Sequence, residues 1–177
     1  MARVAEQSVR ERLIEAAAEL LDTEGPAALT TRRLAKEIGV STMAVYTYFG
    51  GMPELVKAVV QDAFDRFAEY LGDVTPTDDP GADLASIAHA YRRFAQQNPR
   101  RYHVMFGGLS GTLAVDHREI DTSNSTFTVL VDATRRVIDA GFFQPADPVH
   151  VATQLWTMVH GFVHLELSGL LPGDPDD

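Results

Sequence analysis

The chain has 177 residues, 45% of them apolar and 23% charged, a balance that excludes a disordered or fibrous protein and fits one large domain or two smaller ones. It holds no cysteine, so disulfides and cysteine-ligated zinc are excluded and a reducing cytoplasm is the expected compartment. The net charge of -10 would argue against nucleic acid if it were evenly spread, but residues 28–51 carry three cations and one acid, whereas from residue 61 onward eight arginines face 17 acids.

The opening residues lack the apolar run of a secretory signal, so none is expected. Ser8 and Glu11 have the spacing of a capping box, and the helix they would start places Leu13, Ala17, Leu20 and Leu21 on one face before Gly25-Pro26 ends it. Residues 30–38 predict a two-turn helix stopped by Gly39. Ser41 is the expected cap of a second short helix over 42–49, broken by Gly50-Gly51. Pro53 suits the first turn of a long helix over 53–71, with a stripe of Leu55, Val59, Ala63, Phe67 and Tyr70.

Residues 72–82 read as an exposed loop, and 83–97 as an amphipathic helix. Asn98-Pro99 reads as an N-cap and first position of a short helix to Phe106, followed by a break at Gly107–Gly111. A long helix over 123–140 ends at Gly141. Asp147-Pro148 opens the last helix, which ends near Gly169 before a polar tail. No segment alternates with the period of a strand, so the expected fold is all-α. The apolar stretch 149–171 carries Gln154, His160, His164 and Glu166; burying that carboxylate in lipid costs about 2.5 kcal/mol or more, so no membrane partner is expected.

Two short helices joined through a glycine turn form a helix-turn-helix, whose second helix sets its N-terminal residues against base edges in the major groove. On that reading Ser41 opens the recognition segment, and Thr42, Met43, Ala44 and Thr47 face bases. Tyr46 and Tyr48 offer hydroxyls to phosphate, and Thr31 and Arg32 meet phosphate at the start of the first short helix.

The residues Leu29-Thr30, Leu34-Ala35, Ile38-Gly39-Val40-Ser41, Val45-Tyr46, Tyr48-Phe49 and Leu55 closely resemble the DNA-binding domain of the TetR family of repressors. The resemblance implies a three-helix DNA-binding domain over 1–52, joined by a long helix to a helical domain over 53–177 that binds a small-molecule effector and makes a homodimer. It implies double-stranded operator DNA as partner and release of DNA on effector binding. One position departs: the family often has lysine where Met52 stands, which leaves only backbone amides there, so that either DNA affinity is lower or Arg32, Arg33 and Lys36 compensate. Trp156, His160, Gly161 and Phe162 also resemble the Trp/His-Gly motif of one C-terminal class in that family.

In the second domain Tyr91, Tyr102, His103, Phe106, Phe127, Trp156 and His160 are candidates to line an effector cavity, although most such residues in a helical domain are core. His160 and His164 share a helix face, but Gly161 stands where a metalloprotease has glutamate, so they read as packing residues and neither metal nor other cofactor is expected. Gly161 in mid-helix points to a close helix crossing at a dimer seam formed by the last two long helices, with Asp132, Arg135 and Arg136 pairing at its rim. Ser110 sits in a faint nucleophile-elbow fragment, but no sheet supports it and no enzyme is expected. The alternative is a ligand- or metal-binding helical dimer without DNA-binding activity, which the acidic net charge and Met52 would favour.

Overall fold

Apolar residues at helical spacing become helix along nearly all of the described chain. The computed structural model describes the backbone of residues 2–106, 115–116 and 120–171, and their side chains except those of 2–8 and 121–124. It contains α1 (Ala2–Thr23), a 3-10 turn (Pro26–Ala28), α2 (Thr31–Ile38), α3 (Met43–Phe49), α4 (Met52–Gly72), α5 (Pro80–Gln97), α6 (Pro99–Phe106), α7 (Asp121–Asp139) and α8 (Pro148–Leu167). Among the described residues there is no strand, as the sequence predicts, and no helix is long and apolar enough to cross a membrane. The expected break at 107–111, Ser110 and most of the polar tail lie outside the described residues.

The chain divides into two compact units, Met1–Arg66 with Arg100–Ser123, and Phe67–Pro99 with Asn124–Asp177. In the first, Leu13, Leu34, Val45 and Leu55 are completely buried, so α1, α2, α3 and α4 share one core. Burying each leucine contributes roughly 1.5–3 kcal/mol. In the second, Phe67 packs edge-on against Tyr91 with centroids 5.2 Å apart and lies 5.1 Å from Phe94. Tyr70 adds a third aromatic pair with Phe94.

Several helix ends differ from the sequence reading. Because α1 begins at Ala2, Ser8 lies inside it and cannot be its cap. Helix α5 begins at Pro80, not Asp83: Asp79 accepts from the Ala82 amide and Pro80 takes the first turn, which shortens the expected loop. Asn98 works backward rather than forward. Its side-chain amide donates to the Phe94 carbonyl at 3.2 Å and to the Tyr70 hydroxyl, so it closes α5 instead of opening α6.

Asp83, freed from starting a helix, is buried inside the second unit. It accepts from the Thr77 hydroxyl at 2.7 Å and the Thr77 amide at 2.8 Å, and it pairs with Arg136. Arg136 also donates to the Thr77 carbonyl. Arg136 remains partly exposed, and Arg135 pairs with Asp132 on its own helix. The Thr77 hydrogen bonds, with the Arg136 charge behind them, hold the Asp83 carboxyl below its ordinary value. A depressed folded-state pKa stabilises the protein above the unfolded value of about 3.9, and that stabilisation is lost as pH falls through the folded value. Asp83→Asn is therefore expected to lower the melting temperature at neutral pH by several degrees. The gap from wild type should narrow in melts below about pH 4; a constant gap would show that the carboxylate charge is immaterial.

Candidate nucleic-acid interface

The helix-turn-helix is built by local rules at each joint. Thr30 caps α2 by accepting from the Arg33 amide at 3.2 Å. The amides of Thr31 and Arg32 fall in the first turn, where no helix carbonyl can reach them. Gly39 ends α2 at φ +71, a left-handed conformation that a side chain disfavours, and the Val40 amide returns to the Ala35 carbonyl at 2.9 Å. The Arg12 guanidinium donates to the Ile38 carbonyl, fastening α1 to the end of α2.

Helix α3 starts without a side-chain cap. Thr42 occupies the flanking position in helical conformation, and Ser41 contributes its backbone carbonyl to the Ala44 amide at 3.0 Å. The expected Ser41 cap is thus replaced by a backbone turn, and both Ser41 and Thr42 are exposed. Val45 is completely buried, while Met43 is 63% and Tyr46 52% exposed. At 3.6 residues per turn Thr42, Met43, Tyr46 and Thr47 share one exposed face, with Met43 and Thr47 opposite Val45. Ala44 and Tyr48 are half-buried on its flanks. The Thr47 hydroxyl donates to the Met43 carbonyl at 2.9 Å.

The cations of α2 are not equivalent. Arg33 pairs with Glu24 at 2.9 Å and with Glu37 at 3.5 Å. Arg33 is thus already engaged by two carboxylates while remaining exposed. Arg32 and Lys36 are exposed, and among the described residues neither has an ion-pair partner. Met52, half-buried, is the first residue of α4.

Residues 13–59 match the family model described as bacterial regulatory proteins, tetR family, and residues 84–177 match the tetracyclin repressor-like C-terminal domain. The chain belongs to the TetR family. Its members are regulators of transcription and not enzymes. The HTH-type transcriptional regulator Rv1816 of Mycobacterium tuberculosis is 27% identical over 151 residues, covering 83% of this chain, which spans 64% of that protein. The solved structure of SCO4313 is 30% identical with a TM-score of 0.78, covering 97% of this chain and 89% of that one. The TetR family transcriptional regulator PfmR of Thermus thermophilus shares the fold at a TM-score of 0.73 and 22% identity, covering 93% and 88%.

The part matched by the TetR C-terminal model brings together four of the seven effector candidates. The Tyr91 hydroxyl and His160 Nδ1 are hydrogen bonded at 2.8 Å, and Trp156 stands 5.9 Å from the His160 ring and 6.0 Å from Phe127. Burial first, and the charge of His164 second, hold His160 below the ordinary imidazole value, so it is neutral at pH 7. Nearby, the Arg92 guanidinium grips Glu166 in a fork and lies 5.9 Å over the Phe162 ring. The other three candidates fall in the unit that holds the DNA-binding helices. Tyr102 is buried and packs edge-on to Phe106, Phe106 also meets Phe64 of α4, and His103 is exposed and bonded to Asp22 of α1 at 2.8 Å. Among the described residues no three histidine, aspartate or glutamate side chains converge as a metal site.

Proposed function

We propose that this regulator is a ligand-responsive repressor that binds a pseudo-palindromic operator as a homodimer. The outward face of α8 carries the proposal. That helix buries only Ala152 and Val163 within its own chain, while Val149, Trp156, Met158, Phe162 and Leu165 are exposed. Met158, Gly161, Phe162 and Leu165 recur at three- and four-residue spacing and form one stripe. A Cβ added to Gly161 would meet nothing within 4 Å, so nothing in its own chain requires glycine there. Close approach of a second copy supplies the reason. Symmetric pairing of α7 and α8 from two chains makes a four-helix bundle that covers the stripe.

Such a dimer presents two α3 helices to half-sites about 34–36 Å apart, or a multiple of that spacing. The effector reading rests on Tyr91, Phe127, Trp156 and His160, the last two being also the core of the Trp/His-Gly resemblance. A molecule bound there releases DNA only as far as its affinity differs between the DNA-bound and free arrangements. Fluorescence anisotropy with the protein's own upstream DNA across a salt series is the decisive measurement. Saturable binding that collapses with salt and spares scrambled DNA is the expected result; equal binding to both would refute operator recognition.

Within α3 the roles separate by mutation. Tyr46→Phe removes one exposed hydroxyl and is expected to weaken every DNA by a similar factor, about 2- to 10-fold. Thr42→Ala is expected to change the ranking of operator variants instead. Parallel titrations over a set of single-base operator changes distinguish the two, and identical profiles would overturn the assignment.

A further inference from the structure

The C-terminal end of the recognition helix has no cation of its own. Residues 50–56 read Gly-Gly-Met-Pro-Glu-Leu-Val, so the first charge after α3 is the carboxylate of Glu54. A cation nevertheless stands there, carried by α1. The Arg10 guanidinium lies over the ring of Phe49, the last residue of α3, 5.2 Å from its centroid. Arg10 is exposed, and among the described residues it has no hydrogen-bond or ion-pair partner. Phe49 follows Tyr46 by three residues and is its neighbour on the helix surface. Its half-buried ring borders the exposed stripe of Thr42, Met43, Tyr46 and Thr47.

We infer that Arg10 is a further phosphate-binding residue, set by Phe49 at the end of the recognition helix opposite its base-reading start. The inference rests on the DNA-binding reading above and adds to it a contact from α1. Three physical points support it. A guanidinium held over an aromatic ring is weakly hydrated, and its N–H groups can form a bidentate bond to phosphate oxygens. Stacking restrains a long side chain before DNA arrives, so less rotamer entropy is lost on binding. Of the other arginines on α1 and α2, Arg12 serves the Ile38 carbonyl and Arg33 serves two carboxylates. Arg10 thus complements Arg32, which stands in the first turn of α2.

The contact is independent of sequence, so the test needs no operator. Full-length wild type, Arg10→Met and Arg10→Lys are titrated against a labelled mixed-sequence duplex from 50 to 200 mM KCl, roughly the range in which phosphate contacts dominate. Arg10→Met keeps an apolar stem over Phe49 and removes the charge. It is expected to reduce the slope of log K against log salt by about 0.9 for each protomer, about 1.8 for the dimer, and to weaken binding about 3- to 10-fold per contact. Arg10→Lys is expected to keep the slope and lose part of the affinity, because an ammonium cannot bond in a fork. Thermal melts follow in parallel, and Arg10→Gln serves as a second neutral variant should Arg10→Met melt early. If the neutral variants match the wild-type slope while wild type binds normally, Arg10 is a packing residue and the inference is overturned. If wild type itself shows no salt-dependent binding, the failure lies with the DNA-binding reading.

Discussion

Replacing Met158 by aspartate is expected to leave the chain folded but monomeric, and to lower operator affinity on the order of a hundredfold or more, the scale at which two linked half-site contacts exceed one. Met158 is 69% exposed and sits in the apolar stripe of α8, so its own chain loses little when it changes. In the proposed dimer a two-fold axis brings two copies of that position to one seam. Two aspartates there would be desolvated beside apolar groups without partners, at a cost of several kcal/mol. Sedimentation equilibrium reads the oligomeric state and anisotropy reads the DNA affinity. A Met158→Asp protein that still dimerises with wild-type affinity would place the seam elsewhere and sink the α8 assignment.

The second large effect is expected at Leu34. Its side chain is completely buried in the core of the first unit, on the inner face of α2. Leu34→Ala is expected to destabilise that unit by about 2–5 kcal/mol, the transfer cost of the lost methyl groups plus the cavity they leave. Against a total stability of roughly 5–15 kcal/mol, that is enough to populate conformations in which α2 and α3 no longer hold their turn. Urea denaturation should show the loss, and DNA binding should fall with it even though Leu34 touches no DNA. A loss below about 1 kcal/mol would mean that the core collapses around the smaller side chain and that Leu34 is not its keystone.

The fold was legible wherever short-range rules decide it. The buried stripes on α1 and α4, the turn glycine Gly39 and the Asp147-Pro148 start of α8 all lie where spacing and capping chemistry place them. Misreadings came where one polar residue had several neighbours to choose from. Ser8 has the capping spacing but lies inside a helix that starts six residues earlier, and Ser41 yields to a backbone turn. Asn98 prefers the carbonyl behind it to the amides ahead. The exposed residues of α3 were readable because helical periodicity alone sorts them from Val45.

The charges were less readable, since their fate depends on partners far along the chain. Arg33 and Arg32 are adjacent in sequence, yet Glu24 and Glu37 neutralise the first and leave the second open. Arg136 looked like a surface residue until Asp83, 53 positions away, was found beneath it. Arg10 and Phe49 are brought together only by the packing of α1 against the helix-turn-helix, which no local pattern encodes. The same holds for Tyr91 and His160, 69 residues apart.

The hydrogen bond that occupies the Thr47 hydroxyl proton gives the recognition helix a particular vocabulary. With that proton donated to Met43, Thr47 offers a methyl group and a hydroxyl oxygen that only accepts, beside the Met43 thioether, half-buried Ala44, Thr42 and Tyr46. None of these is the arginine or lysine that forks onto guanine, nor the asparagine or glutamine that pairs with adenine. The one apolar mark in the major groove is the 5-methyl group of thymine. On the proposed reading, thymine methyl groups contribute to discrimination beside the Thr42 hydroxyl, so replacing thymine by uracil within a half-site is expected to weaken discrimination while leaving every base pair intact.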